Sequence, residues 1–332
     1  MSSDPQKLPK PSWLKIRPPA GENYTELKKL LRDLNLYTVC EEAKCPNVAE
    51  CWGGGTATFM LMGDTCTRGC RFCAVKTGNP RGKIDSDEPK KVAYAISKLG
   101  LRYVVITSVD RDDLPDHGSG HFAETIANLK KHDPELMIEV LTPDFLGNRD
   151  WIEKIVRASP DVYAHNIETV ERLSPKVRDA RATYSQTLSV LSLVKEIDPN
   201  RYTKSSIMMG LGEEDDEVMQ TLKDLRQVGC DVVTFGQYLQ PTLRHLKVTK
   251  FVTPEKFARW KNVADEMGFL YVASGPLVRS SYRAAEFFME GIIKKRRFEN
   301  GTTNTNINNG TSASTSTDSD TDERNRLWLL QK

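Results

Sequence analysis

The sequence predicts an α/β protein whose core is a partial parallel (β/α)6 TIM-like barrel. Six short apolar runs rich in β-branched and aromatic residues alternate with six segments of helical pattern. Strands that alternate with helices in this way form βα units and pair in parallel. The alternation covers the middle of the 332 residues, so an N-terminal extension and a C-terminal closing segment flank the predicted barrel.

The predicted elements follow one another from residue 56. We expect strands at 56–63, 101–109, 136–142, 161–168, 205–211 and 231–239. We expect helices at 88–99, 119–131, 149–158, 184–196, 213–228 and 254–267, with Ser119 and Thr253 as caps, and a further short helix at 24–36. Six units favour a barrel over an open sheet, and the sequence leaves open whether the barrel closes.

Composition changes divide the chain into four predicted segments. These are an N-terminal extension at 1–54, the barrel at 55–268, a closing segment at 269–300 and a polar tail at 301–332. Residues 302–321 include 15 Ser, Thr or Asn among 20, and such a segment buries too little apolar surface to offset its ordering entropy. We therefore expect the tail to be disordered.

The overall composition excludes several classes of protein. The chain is 39% hydrophobic and 28% charged, which is typical of a globular protein. It has no apolar run of about 18 residues, so we expect no membrane span. A net charge of +2 is too balanced to indicate a nucleic-acid partner. The first 13 residues lack the features of a signal or transit peptide, which predicts a cytoplasmic protein.

Six of the seven cysteines lie between Cys40 and Cys73, and only Cys230 stands apart. A chain of this length with no export signal does not need disulfides, and reduced thiols clustered this closely usually bind metal. Cys230, at the start of an apolar run, is expected to be a small buried hydrophobe.

The second cysteine group, CTRGCRFC, contains Cys66, Cys70 and Cys73 directly after the first predicted strand. In a parallel barrel the functional loops follow the carboxyl ends of the strands. Thiolates are soft ligands suited to iron–sulfur clusters or zinc. Three cysteines on a cubane cluster leave one iron without a protein ligand, and a substrate or cofactor can bind there.

The first group, CEEAKCPNVAEC, contains Cys40, Cys45 and Cys51. Six thiolates exceed the four that one zinc ion or one cubane needs, which favours two separate centres. Zinc sites completed by histidine are the alternative. None of the five histidines lies at zinc-finger spacing from either group.

The motif CTRGCRFC resembles the signature of radical S-adenosylmethionine (SAM) enzymes. Together with CEEAKCPNVAEC and with RSSYRA at 279–284, it resembles the lipoyl synthase family. PKPSWLK, TSVDRDDLPDHGSGHF, HNIETV and MMGLGE support this resemblance, which extends from about residue 8 to residue 297.

The resemblance implies two 4Fe–4S clusters and SAM as cofactors. Cys66, Cys70 and Cys73 would bind the cluster that binds SAM, and Cys40, Cys45, Cys51 and Ser281 would bind an auxiliary cluster, with Ser280 as the alternative to Ser281. The implied reaction is radical-mediated insertion of two sulfur atoms at C6 and C8 of a protein-bound octanoyl group, with the auxiliary cluster as sulfur donor. An unactivated methylene cannot be attacked by an acid, a base or a nucleophile, so such a reaction needs cofactor chemistry.

The implied partners are octanoylated lipoyl carrier domains and an electron donor such as flavodoxin or ferredoxin. The carrier domains are those of 2-oxoacid dehydrogenase E2 subunits and of the glycine cleavage H protein. The resemblance also implies residues that contact SAM, namely Phe72, Thr107, Ser108, Asp110, Asn166 and Glu168. The alternatives are ordinary aromatic packing for Phe72 and a salt-bridged rim carboxylate for Glu168.

Two rival interpretations fit the sequence less well. Another sulfur-inserting radical SAM enzyme, such as biotin synthase or a methylthiotransferase, would lack the upstream cysteine group. An electron carrier with two clusters would not need six βα units or an open iron position. Arg279 is a candidate for orienting the substrate or the auxiliary cluster, and the basic run at 294–297 could attract an acidic carrier, although a solvated helix end is favoured there.

Overall fold

A computed structural model describes residues 9–14, 22–42, 45, 47–48, 58–281, 291 and 293. The chain divides into two compact units, residues 1–291 and 292–332, and the fold below is that of the first unit. Cys51, the basic run at 294–297 and the predicted disordered tail lie outside the described residues. In the described part of the chain, no helix is long and apolar enough to cross a membrane.

One eight-stranded sheet forms the centre of this unit, and a two-stranded ribbon lies beside it. The strands in chain order are β1 (Tyr37–Thr38), β2 (Thr58–Leu61), β3 (Thr65–Cys66), β4 (Lys76–Thr77), β5 (Tyr103–Ser108), β6 (Met137–Leu141), β7 (Val162–Ala164), β8 (Tyr202–Met209), β9 (Val232–Gln237) and β10 (Tyr271–Gly275). The sheet order is β1-β2-β5-β6-β7-β8-β9-β10, and β3 pairs with β4. Only β1 is antiparallel to its neighbour, so seven strands form a continuous parallel sheet.

The helices that the structure describes are α1 (Glu22–Asp33), α2 (Val39–Glu42), α3 (Glu88–Leu99), α4 (Ser119–His132), α5 (Arg149–Arg157), α6 (Ser174–Val177), α7 (Tyr184–Ile197), α8 (Asp215–Gln227) and α9 (Pro254–Glu266). Seven of these helices begin within two residues of their predicted starts, whereas the short helices α2 and α6 were not predicted. Thr253 caps α9 as predicted, since its side chain accepts a hydrogen bond from the Lys256 N–H. Ser119 is not a cap: it is the first helical residue of α4, and Asp116 accepts the N–H groups of Gly118 and Gly120.

Two buried apolar clusters lie between the sheet and its helices. One is built around β2, β5 and β6 and the helices α3 to α5, with Phe59, Ile106 and Phe122 fully buried. The other is built around β8 and β9, with Phe235 and Trp260 at its centre. Cys230 belongs to the second cluster and is fully buried, in agreement with its prediction as a small hydrophobe.

The predicted fold class is confirmed, and the structure adds one parallel strand to the six that were expected. β10 extends the sheet beyond β9 and lies in the segment at 269–300 that was predicted to close the barrel. The described strands show no pairing between β1 and β10, so the barrel is partial. The carboxyl ends of all seven parallel strands therefore meet at one edge of the sheet.

Candidate functional site

A cavity of about 780 Å³ opens at the carboxyl ends of the parallel strands. Its wall includes residues that follow β2, β5, β6, β7 and β9, and three residues within β8, namely Ser206, Ile207 and Met208. Two segments from outside the six predicted units complete the wall, one carrying Cys40 and Cys45 and the other carrying residues 278–281. A functional site at this edge is what the barrel topology predicts.

The second cysteine group reaches this cavity on a short loop. Cys66, Cys70 and Cys73 all line the cavity, and the parallel pairing of β3 with β4 holds the two ends of the loop together. Backbone N–H groups point at two of the sulfurs: those of Arg68 and Asp110 donate to the Cys66 Sγ, at 3.4 and 3.3 Å, and that of Asp179 donates to the Cys70 Sγ at 3.3 Å. Hydrogen bonds of this kind stabilise thiolates and tune iron–sulfur clusters.

The electrostatics of the cysteine loop fit a site that needs a bound cation. Burial, with a contribution from the nearby carboxylate of Asp110, raises the pKa of Cys66 to about 12. Burial also raises the pKa of Cys70 to about 12 and raises the pKa of Cys73. The three thiols are therefore protonated at neutral pH unless a metal compensates the charge of their thiolates.

The donor set suits a cluster. Among the described residues, no three His, Cys, Asp or Glu side chains lie close enough together to hold one metal ion. A cubane cluster does not require three ligands to converge on one metal ion, because each of its cysteines binds a different iron.

A buried arginine inside the cysteine loop fixes its position, and sequence reasoning missed this residue. The side chain of Arg68 is only 2% exposed. Its guanidinium donates to both carboxylate oxygens of Asp144, at 2.7 and 2.8 Å, and to those of Asp112. Burial opposes the charge of Arg68, but its hydrogen bonds to Asp144 and Asp112 outweigh burial and raise the pKa of the guanidinium.

Asp110, which the resemblance implies as a SAM contact, lies in the cavity wall, and its side chain is engaged by other protein groups. One carboxylate oxygen lies 3.3 Å from the Arg68 Nε, and the other accepts a hydrogen bond from the Cys66 thiol at 3.6 Å. Burial raises the pKa of Asp110 to about 6 despite the opposing charge of Arg68. This geometry links Asp110 to the cysteine loop.

Thr107 and Ser108 end β5 and both line the cavity. The Thr107 hydroxyl donates to the Leu141 carbonyl at 2.8 Å and is therefore engaged within the sheet. The buried Ser108 Oγ has no hydrogen-bond partner among the described residues. Of the two hydroxyls, that of Ser108 is the one available to a ligand.

Asn166 and Glu168 follow β7 and also line the cavity. The Asn166 amide donates to the Glu168 carboxylate at 3.1 Å, while the buried Asn166 Oδ1 has no partner in the described part of the chain. The backbone of Glu168 has a φ of 67°, which residues other than glycine rarely adopt. Its N–H and carbonyl are held by hydrogen bonds with Ser206 and Met208 of β8. Strained residues fixed in this way are typical of functional sites.

Two further residues of the cavity wall, Arg178 and His165, have ionisable side chains that the sequence did not assign to the site. Arg178 is buried, and its Nε has no partner among the described residues. His165 is held between the Thr142 carbonyl and the Thr187 hydroxyl, and burial lowers its pKa to about 4, so its imidazole is neutral. The unpartnered atoms of Ser108, Asn166 and Arg178 fit a ligand that carries several polar groups, because buried polar atoms are normally hydrogen-bonded.

Phe72 lines the same cavity, between Cys70 and Cys73 in sequence. Its ring is half-buried and packs against the apolar cluster around β8 and β9. The position is compatible with both predictions for this residue, ordinary packing and contact with a bound aromatic base.

Described residues of the first cysteine group and of the RSSY segment meet in the wall of the same cavity. Cys40, Cys45, Ser280 and Ser281 all line the cavity, whereas Cys51 lies outside the described residues. The Thr58 hydroxyl donates to the Ser281 hydroxyl at 2.9 Å, and the Asn47 amide donates to the Leu277 carbonyl at 2.6 Å. Residues more than 200 positions apart in sequence are thereby brought to one place.

Comparison with known proteins shows relatives over most of the chain. Residues 60–225 match the sequence profile of the Radical SAM superfamily, and residues 2–45 match that of the N-terminal domain of lipoyl synthase of the radical SAM family. The mitochondrial lipoyl synthase of Culex quinquefasciatus is 61% identical over 295 residues, which cover 87% of this chain and 78% of that protein. The mitochondrial lipoyl synthase of Debaryomyces hansenii is 58% identical over 302 residues, covering 90% and 76%.

Among solved structures, the fold is similar to that of methylornithine synthase. The TM-score is 0.52 at 14% identity, and the match covers 75% of this chain and 74% of the other. At this identity the likeness supports the fold alone.

The prediction of a cytoplasmic protein is wrong, because both of these relatives are mitochondrial proteins. That prediction depended on the first 13 residues. Their composition does not determine the compartment.

Proposed function

The chain belongs to the lipoyl synthase family of the radical SAM superfamily, and from this we propose that it inserts two sulfur atoms at C6 and C8 of an octanoyl group on a lipoyl carrier domain. One observation carries the proposal: the described cysteines of both groups, and Ser281, line a single cavity of about 780 Å³. Two sites in one cavity allow an activated carbon and a sulfur donor to meet without release of the substrate.

In this proposal Cys66, Cys70 and Cys73 bind the 4Fe–4S cluster that binds SAM. Cys40, Cys45, Cys51 and Ser281 bind the auxiliary 4Fe–4S cluster. When bound, these cofactors supply the radical chemistry and the sulfur atoms that protein side chains cannot provide. An alkoxide is a harder and more labile iron ligand than a thiolate, which suits a cluster that gives up its sulfur.

In this proposal the protein's own residues bind SAM and orient the cysteine loop. Ser108, Asn166 and Arg178 present unpartnered polar atoms toward SAM, and the half-buried ring of Phe72 packs beside it. Arg68 holds the cysteine loop against Asp144 and Asp112, so the proposed cluster ligands keep a fixed position relative to the ends of β6 and β5. His165, neutral and held at both ring nitrogens, orients its neighbours rather than exchanging protons.

The electron donor is proposed to be a small carrier such as flavodoxin or ferredoxin. Gly69 and Arg71, inside the cysteine loop, are exposed on the outer surface, whereas the cysteine side chains between and beside them face the cavity. An electron delivered to this surface therefore has only the thickness of the loop to cross.

The two cysteine groups have different tasks, and two substitutions test this. We expect Cys70→Ala to abolish reductive SAM cleavage, measured as methionine release with dithionite as reductant. We expect Cys45→Ala to retain cleavage but to form no lipoyl product on an octanoylated carrier, measured by mass spectrometry. Cys230→Ala, which removes a buried thiol far from both groups, is the control and should keep both activities. Equal loss of SAM cleavage in both variants would show that the assignment of tasks is wrong.

A further inference from the structure

The chain between β9 and α9 forms a loop at the edge of the cavity, residues 239–250, here called the rim loop. Its first residues, Leu239, Gln240 and Pro241, line the cavity. Its middle is fastened to the cysteine loop: the His245 Nε2 lies 2.8 Å from the Cys73 carbonyl oxygen, and the Leu246 N–H donates to the Arg71 carbonyl. The rim loop thus connects the cavity wall with the outer surface beside the cluster ligands.

The outer side of the rim loop is basic and carries one prominent apolar side chain. Leu243 is 82% exposed, more than any other large apolar side chain in the described part of the molecule. Arg244, Lys247 and Lys250 are exposed, and residues 239–250 include no Asp or Glu.

Two cations of neighbouring segments extend this surface. Arg71 and Lys176 are both exposed, and the Arg71 guanidinium donates to the Lys176 carbonyl at 3.3 Å. The Arg71 carbonyl also accepts a hydrogen bond from the N–H of Leu246, which precedes Lys247 in sequence. Arg71, Lys176, Arg244 and Lys247 are here called the rim cations.

Several carboxylates of the neighbouring segments are engaged with other groups. Glu217 pairs with Arg172, and Asp179 pairs with Arg181. Glu213 accepts the backbone N–H groups of Gly210, Leu211 and Gly212. Across the described residues, no ion pair includes any of the four rim cations. Because the whole chain carries a net charge of only +2, the rim cations are a local feature and not part of a generally basic surface.

The proposed substrate makes this surface relevant. The octanoyl chain must enter a cavity of about 780 Å³, which is far smaller than a folded carrier domain. The body of the carrier must therefore stay at the rim while its acylated lysine extends inward. Unpaired cations that repel one another are stabilised by an anionic partner, and such patches steer association.

We propose that Leu243 and the rim cations form the docking surface for an acidic carrier domain, which they hold while its octanoylated lysine occupies the cavity. This proposal depends on the proposed function, since it names where the protein part of the same substrate binds. The charges orient the carrier domain and raise its association rate, and Leu243 provides an apolar contact within the docking surface.

The test compares two double variants with the same change in charge. Arg244→Glu with Lys247→Glu reverses two rim cations. Lys131→Glu with Lys223→Glu reverses two exposed lysines in the C-terminal halves of α4 and α8, which lie at the opposite end of a βα barrel. Each reconstituted protein is assayed with dithionite on an acidic octanoylated carrier domain and on a short octanoyl-lysine peptide.

We expect the ratio of kcat/KM for the carrier to kcat/KM for the peptide to fall roughly tenfold or more in the rim variant and to stay unchanged in the control variant. The wild-type KM for the carrier should also rise with ionic strength, while that for the peptide should not. An unchanged ratio in the rim variant would overturn the docking proposal, as would an effect that is seen only with a protein reductant in place of dithionite. If the wild type forms lipoyl product from neither substrate, the proposed function itself fails.

Discussion

At the scale of single residues, the site depends on a buried arginine that belongs to the cysteine loop. Arg68 lies between the first two cysteines of the second group, where an arginine in an isolated loop would be solvated. Asp144, which follows β6, and Asp112, which follows β5, enclose its guanidinium instead. The charge of the loop is thereby neutralised by carboxylates from two different strand ends, and this fixes the loop against the sheet.

Loss of this arginine should therefore destabilise the fold more than loss of an exposed one. We expect Arg68→Met to lower the free energy of unfolding by about 3 kcal/mol or more, because it leaves the carboxylates of Asp110 and Asp144 without their cation. Arg181→Met is the control: Arg181 also pairs with Asp112 but is 46% exposed, and we expect a loss below about 1 kcal/mol. Urea unfolding of both variants at pH 7, without cofactors, measures the difference. Equal losses would contradict the anchoring role of Arg68.

The sequence could identify the residues that carry chemistry by themselves but not those that act through distant partners. The cysteine spacings were identified because their residue types and positions are informative alone. Ser281 and the polar residues at the ends of β5 and β7 came from the resemblance to a family, and all of these residues that the structure describes line one cavity. The engagement of Thr107 by the Leu141 carbonyl and the role of Arg68 depend on contacts 34 and 76 residues away. Such pairings follow from the folded sheet and leave no local signal.

At the scale of elements, the hydrophobic rhythm predicted the parallel strands and their helices within a few residues. It missed β10, Tyr271–Gly275, because that run ends in Ala, Ser and Gly, which are weak strand formers. The strand forms because all five of its residues pair with β9. Pairing with β9 thus determines that these residues form a strand, and this strand leads the chain from the barrel into the RSSY segment.

The position of the RSSY segment depends on Gly236 in β9. An added Cβ at Gly236 would lie 2.1 Å from the Val278 carbonyl oxygen, so the closing segment crosses β9 at a distance only glycine allows. At the paired residue Gly275, an added Cβ would lie 3.3 Å from a Val278 methyl carbon, which can adjust.

We expect Gly236→Ala to displace residues 278–281 and to impair binding of the auxiliary cluster. The iron content of the reconstituted protein should fall by about half, while SAM cleavage persists. Gly275→Ala should keep the iron content of the wild type, because its new methyl group meets only a flexible side chain. Full iron content in Gly236→Ala would show that this crossing does not position the auxiliary ligands.

At the scale of the whole molecule, one cavity is lined by proposed ligands from both ends of the folded unit. Cys40 and Ser281 are separated by most of the barrel in sequence, yet both line the cavity that Cys66, Cys70 and Cys73 enter after β2. The contacts of Asn47 with Leu277 and of Thr58 with Ser281 join these ends across the open side of the sheet. The partial closure of the barrel thus leaves room for two proposed centres, because the segments that carry Cys40 and Ser281 meet where the strands leave an edge unpaired.

Two independent centres in one chain make a stoichiometric prediction. Protein reconstituted without oxygen should contain about 8 iron and about 8 acid-labile sulfide per chain, because each cubane holds four of each. Cys66→Ala and Cys40→Ala should each lower both numbers to about 4, since the two ligand sets share no cysteine. Removal of iron by a chelator should also lower the unfolding temperature, because a cluster that binds only the folded state stabilises it. A wild-type value of about 4 would leave a single centre and remove the internal sulfur donor, and stoichiometric zinc without sulfide would contradict both centres.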